Sequence, residues 1–150
     1  MAAFERQVKV RFAHCDPAAI VFYARYFEMI NGLVEDWFDE VLELPFRVLL
    51  ETRGIMVPTV HFDVDFLRAS ELGELLTFRL EISKIGRTSF TVKIEARCND
   101  ETRLTAHQVI VFAHQQTRRP VAIPDDITAR MRVFQGRDGD AGATRLSPRT

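Results

Sequence analysis

The chain has little with which to cross-link or anchor itself. It carries only two cysteines, Cys15 and Cys98, among 150 residues. They form neither a disulfide framework nor a C-x-x-C metal site, and reduced thiols in a cytoplasmic protein are the simplest reading. No apolar run approaches the roughly 20 residues that span a bilayer. The opening Met-Ala-Ala-Phe-Glu-Arg lacks the apolar core of a secretion signal. A formal net charge of −1 leaves no basic footprint for nucleic acid and no polybasic membrane anchor. There is no internal repeat and no Gly-x-Ser-x-Gly nucleophile elbow. What remains is an ordinary globular composition, 47% hydrophobic and 27% charged, which excludes a disordered or fibrous chain. At this length one domain is expected, burying about 68–70% of its unfolded surface and needing no staple.

Hydrophobic spacing sets out the elements. Val8, Val10 and Phe12 alternate with polar residues across 5–12, the pattern of a half-buried strand. Ile30, Leu33, Val34, Trp37, Phe38 and Val41 then recur at steps of three and four, which predicts a long amphipathic helix over about 22–42. Gly32 inside it costs about 1 kcal/mol against Ala, and close packing against another backbone is the expected reason. Phe46, Leu49 and Leu50 suggest a further helical turn or two, which Gly54 can end.

From Ile55 the period becomes two. Val60, Phe62, Val64 and Phe66 form one dry face opposite His61, Asp63 and Asp65. Leu76 to Ile82 and Phe90 to Cys98 repeat the alternation, each after a polar turn. In 103–114, the run Val109 to Ala113 is apolar on both sides, so this strand is expected to be central or covered. Strands joined by turns imply an antiparallel sheet. Asp125 or Asp126 is expected to cap a short helix to about Phe134. The domain is therefore drawn as 1–134, with 135–150 as a flexible tail. The expected class is α+β, with the helix stripe buried on one face of a curved sheet. An edge strand is left over, which a second subunit would cover.

The chain is organised around His14-Cys15-Asp16-Pro17-Ala18-Ala19-Ile20-Val21-Phe22-Tyr23, which joins the first strand to the long helix. Asp-Pro starts a turn readily. It places one carboxylate a few residues before a helix N-terminus, where free amides and about half a unit of dipole charge attract anions. Read locally, Asp16 is either an Asx-type turn residue with no chemistry or one half of an acyl-transfer site.

The run Phe12-Ala13-His14-Cys15-Asp16-Pro17-Ala18-Ala19-Ile20-Val21-Phe22-Tyr23 followed by Tyr26 resembles the 4-hydroxybenzoyl-CoA thioesterase family. So do Leu44-Pro45, Arg53-Gly54-Ile55, Phe66, and Arg119-Pro120 with Ile123-Pro124. The likeness covers about residues 5–130. It implies a hotdog fold, a five-stranded antiparallel sheet wrapped around a long helix, and hydrolysis of an acyl-CoA thioester. It implies Asp16 as nucleophile or general base and the Tyr23 backbone amide as oxyanion donor. It places Asn31 where the hydroxybenzoyl enzyme has an acidic residue facing the ring hydroxyl. It favours Arg87 for the CoA phosphates. It implies a homodimer or homotetramer with the acyl site between subunits, and neither metal nor redox cofactor. Many relatives have Gly at the position of Ala19. Aromatic acyl groups are favoured, then short aliphatic ones. The alternatives are an acyl-CoA-binding module without turnover, and a hydratase or dehydratase, for which no matching His and Glu motif is present.

Other polar residues carry weaker signals. His14, two residues from Asp16, is either a strand-end residue or a partner to the carboxylate. His61, Asp63 and Asp65 share a strand face that is better read as solvated or subunit-facing than as a metal site. His107 and His114 fall on opposite sides of an ideal strand. Lys84, Arg118 and Arg119 are strand-end cations suited either to solvent or to phosphate.

Overall fold

Strict alternation builds most of the sheet. The computed structural model describes residues 3–140. Its strands are β1 (Phe4–Lys9), β2 (Ile55–Met56), β3 (Thr59–Phe66), β4 (Leu75–Ile85), β5 (Ser89–Cys98), β6 (Glu101–Val111) and β7 (Ala113–His114). Its helices are α1 (Tyr23–Glu40), α2 (Phe46–Glu51) and α3 (Asp125–Asp140). Five strands form one antiparallel sheet in the order β1-β4-β5-β6-β3. Leu76, Phe78, Leu80 and Ile82 on β4 and Phe90, Val92, Ile94 and Ala96 on β5 are all buried on one face. The registers Phe78↔Ala96, Leu80↔Ile94 and Ile82↔Val92 set them side by side.

α1 lays its apolar stripe, Tyr26, Met29, Ile30, Leu33, Val34, Trp37 and Phe38, into the same core. Trp37 and Phe38 are fully buried, and Trp37 meets Phe90 and Phe134 at ring distances of 5.7 Å. Truncating either ring to Ala would cost about 3–5 kcal/mol. Helix on sheet in this order is the α+β architecture that the sequence pattern led us to expect, and it matches the hotdog fold that the resemblance implied.

Several expectations give way for physical reasons. Phe12 does not continue the first strand. The chain turns into a single 3₁₀ turn at Phe12–His14, and Phe12 is 83% exposed. Gly32 has no backbone against it; an added Cβ would meet nothing within 4 Å. The dry face of β3 is only half dry, because β3 is an edge strand. A register shift between Thr59 and His61 takes Val60 out of the alternation, and Val60 and Phe66 are 59% and 47% exposed. β6 stops at Val111, and Ala113–His114 pairs instead with Ile55–Met56 in a separate two-stranded sheet. α3 continues through Asp140 rather than ending near Phe134. Of the expected tail, 135–140 are therefore helical, and the remainder lies outside the described residues.

The most consequential difference lies between β3 and β4. They are not neighbours, since β6 and β5 separate them. The polar stretch at 67–74 is therefore not a tight turn. It is a connection that crosses one end of the sheet, and it forms the floor under Asp16.

Candidate active site

Residues 14–22 fold back on themselves as a short hairpin. Phe22 N–H donates to His14 C=O, Cys15 bridges Val21, and Asp16 N–H donates to Ile20 C=O at 2.9 Å. The turn at its tip is an Asx turn. The Asp16 Oδ1 accepts the Ala18 amide at 2.8 Å, and Ala19 N–H returns to Asp16 C=O. Ala19 sits at φ +62°, a left-handed conformation that glycine adopts without cost. The turn reading of Asp16 is thus true of one carboxylate oxygen. The other oxygen is not consumed by that turn, and the residue is only partly buried.

The return leg of the hairpin runs straight into α1. Phe22 is the N-cap and supplies no side-chain capping bond, and no acidic residue occupies the first turn. Arg25 N–H bonds Phe22 C=O. The leading amides of a helix have no intrahelical partner, and here they belong to Tyr23 and Ala24. Beside them a groove of about 250 Å³ is lined by Ile20, Val21, Tyr23, Tyr26, Phe66 and Leu67, among others. The Tyr23 and Phe66 rings meet edge-on at 6.2 Å. A carboxylate, open helix amides and an aromatic-walled groove therefore share one corner of the fold.

The thioesterase-like superfamily profile matches residues 10–131. The chain belongs to the Thioesterase-like superfamily. A 1,4-dihydroxy-2-naphthoyl-CoA hydrolase of Synechococcus elongatus is 26% identical over 126 residues, 83% of this chain and 92% of its own length. The 4-hydroxybenzoyl-CoA thioesterase of Pseudomonas sp. strain CBS-3 is 28% identical over 85 residues, 56% of this chain and 60% of its own. The solved structure of that enzyme superposes with a TM-score of 0.80 at 24% identity, covering 87% of this chain and 99% of the other. The expectation of a thioester hydrolase on a hotdog fold is met at the level of the superfamily.

Within this superfamily member the four residues singled out in the sequence do not converge. Asp16 and Tyr23 lie on one loop and the helix it starts. Asn31 is exposed on α1, about 12 Å farther along the axis from Tyr23 at 1.5 Å per residue. Arg87 follows the far end of β4, roughly 30 Å of strand away from the Asp16 loop. His14 turns to the other flank of α1. Its Nδ1 accepts the Arg11 amide at 2.9 Å, and the side chain lines a groove with Val8, Met29, Gly32 and Phe78. His61 lies 3.8 Å from Asp63 on the exposed sheet surface. His114 Nδ1 accepts the Gln116 and Thr117 amides of its own turn.

No sequence motif points to the groups beneath the loop. Ser70 is fully buried, and its Oγ accepts the Tyr26 hydroxyl at 2.9 Å. Arg103, 7% exposed, grips both oxygens of Glu74 at 2.6 and 3.1 Å. That guanidinium, together with the Glu71 amide, holds the Glu74 carboxyl down at about 2, and Glu74 in turn raises Arg103. Strand parity would have set Arg103 on the polar face with Thr105 and His107. The register shift between Ala96 and Arg97 breaks that parity, and no local pattern announces it.

Proposed function

We propose that this protein hydrolyses an aromatic acyl-CoA to the free carboxylate and CoA, with Asp16 carrying the chemistry. The observation that supports this most directly is the hairpin that ends a half-satisfied carboxylate beside the uncapped start of α1. An ordinary Asp is ionised at neutral pH. It can attack the thioester carbon or take a proton from an attacking water. In either route negative charge develops on the carbonyl oxygen, and the Tyr23 amide at the positive end of α1 is the donor for it. Collapse of the tetrahedral species breaks the C–S bond and releases CoA thiolate. Direct water attack gives the product acid at once; attack by Asp16 gives a mixed anhydride, which one water then cleaves. The reaction uses only groups of the chain itself and draws on no metal or redox cofactor.

The aromatic preference rests on the relatives named above, whose names give hydroxylated aromatic CoA esters as their substrates. Asn31 is the residue we assign to the ring hydroxyl, since its amide both donates and accepts. Arg87 is assigned to the CoA phosphates. Its distance from Asp16 supports a site shared between subunits. β3 is an open edge with its Thr59 end toward the Arg87 side and its Phe66 end toward the Asp16 loop. Pairing two β3 strands antiparallel about a twofold axis would set one protomer's Asp16 end beside its partner's Arg87 end. The assembly is thus at least a homodimer, with a homotetramer as the doubled form. Both cysteines are free, which supports a cytoplasmic location. No described helix is long and apolar enough to cross a membrane.

The test is a hydrolysis screen over a panel of aromatic and short aliphatic acyl-CoA esters, with Asp16→Asn as control. The expected loss in kcat is roughly 10²–10⁴ for a general base, with CoA-ester binding kept. Single turnover in ¹⁸O-water separates the routes, because attack by Asp16 leaves label in its own carboxylate. Equal rates for Asp16→Asn and wild type would reduce Asp16 to a turn residue. Binding without cleavage of any ester would make the protein a binding module.

A further inference from the structure

We propose that Arg103 and Glu74 are positioning residues for the Asp16 loop, acting through the peptide unit that joins Ser70 to Glu71. This rests on Asp16 and Tyr23 being the reacting groups.

That single peptide plane faces two ways. Its N–H, on Glu71, donates to Glu74 Oε1 at 2.7 Å. Its C=O, on Ser70, accepts the Val21 amide at 2.9 Å. Val21 is two residues before Tyr23, on the return leg of the hairpin. The preceding peptide is fixed as well, because Arg103 Nη1 donates to Ala69 C=O at 2.9 Å. Arg103 also holds the start of the crossing segment, its own C=O accepting the Leu67 and Arg68 amides. Two further contacts tie the loop to this segment: Leu72 N–H donates to Ala19 C=O, and Ile20 bridges Glu71. The Tyr26 hydroxyl on Ser70 Oγ carries the same tie to the second turn of α1. Residues 67–69 meanwhile form part of the wall of the groove at the helix start.

The loop has few other anchors. Beyond bonds within 10–22, its other backbone bonds are those of Val10 with Glu74 C=O at 2.8 Å and with the Gly73 amide at 2.9 Å, on the same crossing segment, so the crossing segment sets its orientation. That segment in turn is held by the Arg103 guanidinium, which grips Glu74 and whose Nε also lies 2.8 Å from Glu101 Oε1. Stability is a poor account of such a pair. Arg103 is buried while Glu74 stays partly exposed, and apolar replacement of an ion pair with a buried member is often neutral or stabilising, because its charge must first leave water. A fixed peptide plane gains something else. Catalysis needs the carboxylate and the oxyanion donor held in one geometry, and a misplacement of about 1 Å can cost 10²-fold.

The experiment uses the full chain and the best CoA ester of the panel. Arg103→Met/Glu74→Leu removes the pair without leaving a lone buried charge, while Glu74→Gln keeps an acceptor for the Glu71 amide. For the double variant, kcat should fall about 10–100-fold with KM within about twofold. Exchange of the Val21 amide, followed by NMR, should speed at least tenfold while that of Ile94 in β5 is unchanged. Glu74→Gln should recover most of both losses. A folded double variant with wild-type kcat overturns the proposal, whether or not Val21 exchanges faster, and so does a rise in KM at constant kcat. Should the double variant not fold, Arg103→Lys, which keeps the charge and loses the two-pronged grip on Glu74, is judged by the same readouts. Should wild type cleave no CoA ester, the thioesterase reading fails by itself. Val21 exchange then decides the clamp, and unchanged protection overturns it.

Discussion

The two ends of the five-stranded sheet are built in different ways. At the end where β3 hands over to β4, eight residues cross the sheet under an ion pair, a buried Tyr–Ser hydrogen bond and backbone bonds to the Asp16 loop. At the other end, β4 turns directly into β5 around Gly86, whose amide bonds Ser89 C=O at 2.7 Å. There Lys84 and Arg87 stand exposed, with the Arg118–Arg119 turn as a further strand-end pair of cations. One end is fixed through side chains and suits a reaction that tolerates little displacement. The other presents long cations that can follow a phosphate. Under the proposed function, a partner subunit would bring the two ends together into one site.

Of three further effects, the largest should come from breaking that partnership. Arg87→Ala should raise KM for CoA esters about tenfold, roughly 1.4 kcal/mol of uniform binding, with little change in kcat. Mixing Arg87→Ala with Asp16→Asn subunits should restore sites of wild-type KM, because one of the two shared sites then carries neither lesion. No recovery in the mixture would mean that no site combines Asp16 of one subunit with Arg87 of its partner.

Acid should separate the ends next. Glu74 is lowered from 4.5 to about 2, so its contribution is complete above about pH 4.5 and is lost as pH falls toward 2. Acid unfolding of wild type should therefore be steeper over that window than that of the Arg103→Met/Glu74→Leu variant. Equal pH dependence would show that the pair does not favour the folded state. The smallest effect concerns the loop tip. Ala19→Gly relieves a left-handed alanine at about 1 kcal/mol, and Tm should rise by about 2–4 °C. A lower Tm would mean that the extra freedom of glycine in the unfolded chain outweighs the relief.

Which parts of this could be read from the chain follows from where each signal is local. α1 was legible because its stripe repeats every three or four residues and the core takes that stripe whole. β4 and β5 were legible because both have neighbours on each side, so alternation and burial agree. β3 was read as drier than it is, since edge position depends on strand order, and no residue within 59–66 encodes it. The crossing at 67–74 has the same polar, glycine-containing composition as a tight turn. Asp16 and Tyr23 were reached through a contiguous motif. Ser70, Glu74 and Arg103 come from two distant segments, and only the register of β6 brings them together. Gly32 was read as a close contact because close approach is the usual reason for a helical glycine. Here it opens onto a groove beside β1 instead.

The burial of Trp37 has a practical consequence. It is the one tryptophan in the chain, fully enclosed, with a ring from α1, one from β5 and one from α3 around it. Its indole Nε1–H has no protein acceptor. The intrinsic fluorescence of the protein is thus the emission of a single apolar site at the junction of three elements. A red shift on partial unfolding would register the undocking of α3 without any introduced label, while the loop at the far end of α1 would leave that signal silent.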